Sequence, residues 1–103
     1  MAENIALTEA VYYILLSLTK PNHGYGIMQN VSKLSGGRVN LAAGTLYGAI
    51  TTMLERGWIT ALPDAENSRK KEYLITPKGK IMIENELARL RELIKSGEEV
   101  MGV

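Results

Sequence analysis

The chain is expected to be mainly α-helical, with one small two-stranded β-hairpin and a long final helix. Three observations lead there. Apolar residues recur at the helical period in three successive stretches before residue 57, the period shortens to that of strands between Trp58 and Ile75, and an apolar seam runs through the last quarter of the chain. With 103 residues, 46% of them hydrophobic, the chain can build one small core and no second independent domain. A core of that size leaves apolar surface that a second subunit would cover.

The first helix is announced by Thr8, which can cap it, and by Val11, Ile14, Leu15 and Leu18 on one stripe; Pro21 ends it, with Asn22 in the turn. Tyr12 and Tyr13 lie beside that stripe. His23-Gly24 make a tight turn into a second helix from Tyr25 to about Leu34, carried by Ile27, Met28, Val31 and Leu34 and stopped at Gly36-Gly37. Asn40 is the expected N-cap of a third helix that runs to Arg56 and stops at Gly57.

That third helix carries most of the functional information. With Ile50 at the centre of its buried face, Leu46, Met53 and Leu54 fall within about 60° of it, and Ala43 joins them. Gly44, Thr45, Gly48, Thr51 and Thr52 fall on the far side, and Tyr47 lies on the border. Most surface helices cover their outer face with Lys and Glu. A face of hydroxyls and glycines instead lets the helix lie close against another surface such as a duplex groove.

Trp58-Ile59-Thr60-Ala61-Leu62 and Lys71-Glu72-Tyr73-Leu74-Ile75 are short and β-prone, and the polar stretch from Pro63 to Lys70 joins them as a hairpin with a long tip. Thr76-Pro77 then opens the last helix, since Thr caps and Pro suits the first helical position. Ile83, Leu87, Leu90 and Ile94 follow at spacings of four, three and four, a coiled-coil-like seam widened by Met82 and Leu93, and the helix is expected to fray near Gly97.

Composition narrows the function. Without cysteine there is no disulfide framework, no thiolate nucleophile and no Cys-type zinc site, and His23 is the one histidine. No phosphate loop, nucleophile motif or metal-ligand cluster appears, so neither an enzyme nor a cofactor or metal is expected. The apolar run from Val11 to Leu18 is too short to span a bilayer and Met1 to Thr8 lacks a basic leader, which points to a cytoplasmic protein without membrane contact. The formal net charge is +1, yet Arg69-Lys70-Lys71 with Lys78 and Lys80 form a basic cluster, whereas Glu84, Glu86, Glu92, Glu98 and Glu99 collect toward the C-terminus.

Three helices, a hairpin and a long helix, with a short turn between the second and third helices, describe a winged helix-turn-helix. Residues 1–76 would form that DNA-binding unit and residues 77–103 a dimerisation helix within the same compact body. In this arrangement the third helix enters the major groove and the hairpin tip lies on the backbone or in the adjacent minor groove.

Gly44-Thr45-Leu46-Tyr47, Leu54-Glu55-Arg56-Gly57-Trp58-Ile59, Lys71-Glu72-Tyr73-Leu74-Ile75-Thr76-Pro77-Lys78-Gly79 and, upstream, His23-Gly24-Tyr25-Gly26-Ile27 together resemble the PadR family of bacterial transcriptional regulators. The resemblance covers residues 7 to about 95 and implies a homodimeric repressor on a palindromic operator, with the C-terminal helix as the dimer contact. The chain departs from the family pattern at Gly48, where relatives often carry proline, and at Lys71-Glu72, where they often carry a basic pair. The shorter members bind planar aromatic drugs between subunits, which implies a small aromatic ligand at the dimer interface. Their tryptophan often sits on the C-terminal helix, however, whereas the single tryptophan here is Trp58 at the strand start.

The expected partners are therefore double-stranded DNA, a second copy of the chain, and that ligand. Expected to face DNA are Asn40, Ala43, Gly44, Thr45, Gly48, Thr51 and Thr52 on the third helix, with the Tyr47 hydroxyl on a phosphate. Tyr25 offers the same at the head of the second helix, and Ser68, Arg69 and Lys70 in the tip, with Lys71 opening the returning strand, supply the wing contacts. The plain alternatives are a solvated helix face and a solvated loop. Tyr12, Ile83, Leu87, Leu90 and Ile94 are assigned to the dimer interface, the alternative being packing on the chain's own helices. A competing function is a winged helix used as a protein-interaction module without specific DNA binding.

Overall fold

The computed structural model describes residues 6–63 and 71–103. Four helices, α1 (Glu9–Ser17), α2 (Gly24–Leu34), α3 (Ala43–Glu55) and α4 (Pro77–Met101), surround a sheet of three short strands, β1 (Asn22–His23), β2 (Ile59–Ala61) and β3 (Glu72–Ile75). The mainly helical winged architecture matches expectation. The sheet has one strand more than the hairpin foreseen.

The extra strand is β1, in the segment expected to be a turn. The sheet order is β1-β3-β2, antiparallel throughout, with Asn22 opposite Tyr73, His23 opposite Glu72, and Ile59 opposite Ile75. Once β2 pairs with one edge of β3, the other edge holds unpaired backbone groups, and the α1–α2 connection supplies partners for them. The Ile75 amide donates to the Leu18 carbonyl just ahead of that connection, which fixes the end of α1 to the same edge. For this reason α1 stops at Ser17, well before Pro21.

The core forms where α1, α2 and α3 meet. Ile14, Leu15, Leu18, Ile27, Val31 and Leu46 have no exposed surface, and Ile50 and Met53 are nearly as deep. Trp58, Ile59, Tyr73 and Ile75 carry the core into the sheet, and Met82 and Ile83 of α4 close it. Leu54, expected on the buried face of α3, is instead 37% exposed, because the buried face is turned toward Leu46 and Met53 rather than centred on Ile50; Ala49 on the opposite border packs against the core in its place. Ala43 is likewise exposed at the helix start.

Two boundaries differ from expectation for reasons of local chemistry. The α2–α3 turn runs through Gly36 and Gly37, both at positive φ, and Asn40 braces it: its amide donates to the Gly37 carbonyl at 2.8 Å and its carbonyl accepts from the Ser32 hydroxyl at 2.9 Å. Asn40 is thus not the N-cap of α3; that position is Ala42. At the other end of the chain α4 does not fray at Gly97 but continues to Met101, where Gly102 takes the left-handed conformation that ends it.

At its start α4 is locked. Thr76 accepts from the Gly79 amide at 3.1 Å and donates to the Gly57 carbonyl at 2.6 Å, while Gly79 lies so close to Ile75 and the Trp58 carbonyl that a methyl there would overlap both. Farther along, Glu86 is buried and takes a two-point ion pair from Arg89, at 2.6 and 2.8 Å. That pair, aided by the Leu7 amide and opposed by burial, holds the Glu86 carboxyl below the usual carboxylate range.

Candidate nucleic-acid interface

In α3 the residues buried against the body are Leu46, Ile50 and Met53, and the exposed ones are Gly44, Thr45, Tyr47, Gly48, Thr51 and Thr52, with Ala43 at the start and Leu54 and Glu55 at the end. A single charge occurs in the helix, Glu55 at its last residue. The outer face is therefore what the sequence led one to expect, a shallow surface of hydroxyls and backbone.

Gly44 and Gly48 sharpen this. A Cβ added at either would meet nothing within 4 Å, so the fold imposes no steric demand for glycine there. Gly48 stands inside the helix, where glycine costs roughly 1 kcal/mol relative to alanine. A cost without an internal packing reason points outward, to a surface that must come close to the helix backbone.

The two threonines hold defined orientations. Thr51 donates its hydroxyl to the Tyr47 carbonyl at 2.9 Å and Thr52 to the Gly48 carbonyl at 3.3 Å. With each hydroxyl hydrogen turned back onto the helix, the oxygen presents lone pairs and the side chain a methyl group. Against a major groove those are acceptors for the amino groups of cytosine or adenine, and an apolar contact for the thymine methyl.

Tyr47 and the head of α2 come together. The Tyr47 ring reaches across to Gly24, where a methyl would overlap its hydroxyl, and Tyr25 next to it is 63% exposed. Tyr73 lies close by, its phenol pushed above the ordinary range first by burial and then by Tyr47. Neither α2 nor α3 has a side-chain cap: His23 and Ala42 occupy the N-cap positions and make no such bond. No side chain therefore takes up their first-turn amides, and the helix dipole at each start favours a nearby anion.

Not every expected site residue joins this surface. Asn40 faces its own turn, as described above. Lys71 is exposed at the entry to β3, while Ser68, Arg69 and Lys70 lie outside the described residues. Arg56, not among the expected residues, stands one helical turn beyond Thr52 beside this surface, exposed with its guanidinium 5.3 Å from the centroid of the Trp58 ring. Helical spacing alone would have found it, since positions four apart share a face.

The residues assigned to a dimer contact divide. Ile83 is covered by its own chain and belongs to the core, Tyr12, Leu87 and Leu90 are half-buried, and Ile94 is 58% exposed. Beyond Leu90 every residue of α4 is exposed, including Leu93, Val100 and Met101. Tyr12 packs edge-to-face on Tyr13, ring centroids 5.6 Å apart, beside a hollow that Arg89 and Leu90 also line.

Among the described residues there is no group of three or more His, Asp or Glu able to hold a metal, and no helix is long and apolar enough to cross a membrane.

Residues 13–85 match the model of the Transcriptional regulator PadR-like family. No curated protein sequence matches the chain. Among solved structures, a transcriptional regulator from Clostridium thermocellum is similar at a TM-score of 0.73 and 20% identity, over 88% of this chain and 87% of that one. A PadR family regulator from Clostridium difficile is similar at a TM-score of 0.72 and 22% identity, over 90% and 97%. BpsR of Bordetella bronchiseptica, whose DNA binding is regulated by 6-hydroxynicotinic acid, is similar at a TM-score of 0.67 and 18% identity, over 89% and 65%. At these identities the likeness is one of fold.

Proposed function

We propose, from the premise that this chain belongs to the PadR-like family of transcriptional regulators, that it is a cytoplasmic homodimeric repressor that binds a palindromic DNA operator. The observation that carries the reading is the outer face of α3: nearly uncharged, holding two glycines that the fold does not require, and flanked by two helix N-termini without caps. In this reading Thr45, Thr51 and Thr52 face base edges, Gly44 and Gly48 allow the approach, and Tyr25, Tyr47 and Lys71 meet phosphates.

Residues 1–76 act as the DNA-binding unit and residues 77–103 as the dimer helix. Leu87, Leu90, Leu93 and Ile94 form the seam that a second copy covers, with Tyr12 beside it. A small aromatic inducer held between subunits near Tyr12 and Tyr13 would complete the regulation.

The test is a fluorescence-anisotropy titration of the duplex upstream of the protein's own gene against a scrambled duplex. Specific binding on the order of 10⁻⁸ M or tighter, falling steeply with salt, is expected. Equal affinity for the two duplexes would favour a protein-interaction module instead. Leu90→Asp is expected to sediment as a monomer and to lose roughly 10²-fold or more in operator affinity, because two half-sites no longer bind together. An unchanged sedimentation coefficient would remove the seam from the reading.

A further inference from the structure

A polar cleft of about 460 Å³ opens between the end of α1 and α2, and no residue of α3 lines it. Its volume falls in the range of sites for small organic molecules. Ser17, buried on the α1 side, donates its hydroxyl to the Tyr13 carbonyl at 2.8 Å and accepts from the Asn30 carboxamide at 3.0 Å. Asn30 is thereby held in place, with its oxygen unengaged among the described residues. Asn22 folds back at the other end: its Oδ1 accepts from the His23 amide at 2.9 Å and rests against Gly26, where a methyl would overlap it. Its amide hydrogens are likewise unengaged among the described residues. The fold therefore orients both carboxamides and leaves each with free hydrogen-bonding atoms.

The charge of the cleft is one-sided. Lys20 and Lys33 line it and are exposed, no carboxylate lines it, and neither lysine forms an ion pair among the described residues. The dipole of α1 would oppose an anion here, but the carbonyls at that end are engaged: Leu15 by the Leu18 amide, Leu16 by the Thr19 amide and hydroxyl, and Leu18 by the Ile75 amide. Lysine carries a compact point charge that suits a phosphate, whereas a planar carboxylate is matched by the fork of arginine, which this cleft lacks. The carboxamides of Asn22, Gln29 and Asn30 both donate and accept, as hydroxyl groups require.

We propose that this cleft binds a small phosphate monoester of sugar-phosphate size, with the phosphate held by Lys20 and Lys33 and the hydroxyls by Asn22, Gln29 and Asn30. The inference stands on the cleft and does not depend on the DNA reading.

Ribose 5-phosphate titrated into the ¹⁵N-labelled full chain is expected to move the Gly26 backbone amide and the Asn22 and Asn30 side-chain amides saturably. Ribose, which lacks the phosphate, is expected to bind at least about tenfold more weakly, and inorganic phosphate, which lacks the hydroxyls, also more weakly than the ester. Lys20→Gln and Lys33→Gln are each expected to weaken the ester by roughly fivefold, since each removes one charge-assisted contact at an exposed position. Both lysines are exposed, so these variants leave the core untouched. Resonances that drift linearly without saturating overturn the proposal, as does equal affinity of wild type and the double lysine variant for ribose 5-phosphate. A DNA duplex that moves the same resonances while the ester leaves them in place overturns it as well, and assigns the two lysines to the DNA backbone.

Discussion

The helices differ at their starts. α1 and α4 begin on threonines whose side chains take up a first-turn amide, Thr8 from Val11 at 3.2 Å and Thr76 from Gly79 at 3.1 Å. α2 and α3 begin on His23 and Ala42, which take up none. Every helix leaves its first amides without internal partners, and a side-chain cap contributes about 1 kcal/mol. Closed ends therefore serve the fold, while open ends forgo that stability; on the proposed reading their donors serve a partner outside the chain. The division falls between the helices that frame the body and the two that form the helix-turn-helix.

The closed start of α4 is where the largest effects are expected. Gly79→Ala places a methyl against the Trp58 carbonyl and Ile75, neither of which can move without shifting the sheet, and is expected to destabilise by about 3 kcal/mol in urea unfolding. A midpoint that does not move would show that this start yields easily and is not fixed. Next comes Thr76→Ala. Thr76 both caps α4 and donates to Gly57, so its loss should cost about 2 kcal/mol, against about 1 kcal/mol for Thr8→Ala, where only the cap is lost. Equal losses at the two threonines would mean that the bond to Gly57 contributes little.

The same contrast decides what the sequence made legible. Closed ends have a local signature: Thr8 before its helix and Thr76-Pro77 before α4 could be read as starts. Open ends have none, and Asn40 illustrates the cost, because the residue type that usually caps stands two positions before Ala42 and is engaged with Gly37 and Ser32 instead. Periodicity placed Leu46, Ile50 and Met53 in the core but could not see that the buried face is turned toward Ala49 and away from Leu54. It likewise gave the seam from Ile83 to Ile94 without revealing that Ile83 is covered by its own chain. The β1 strand left no trace, since two residues have no period; only the free edge of β3 defines it. The face of α3 was legible because both its apolar and its small residues follow one helical repeat.

Closing an open end should separate stability from binding. Ala42→Asp gives α3 the cap it lacks and places a carboxylate at the positive end of the helix, with an expected gain of about 1 kcal/mol in unfolding free energy. On the reading proposed above, the same carboxylate occupies the amides that a phosphate would use and repels it. Duplex affinity should then fall at all sequences as thermal stability rises. A variant more stable than wild type that binds DNA equally well would show that the open end of α3 has no ligand.

Gly48→Ala asks the question at the smallest scale. A methyl there meets nothing within the chain, so the isolated protein should become more stable by roughly 0.5–1 kcal/mol through helix propensity alone. If the outer face of α3 lies against a groove, the methyl enters that contact and operator affinity or base preference changes even though the fold has improved. If instead stability rises and binding to every duplex is unaltered, Gly48 is a neutral surface position, and the close approach inferred from it must rest on Gly44 alone. Opposite signs for folding and binding at a residue that touches nothing in its own chain would place the selective pressure for glycine outside the protein.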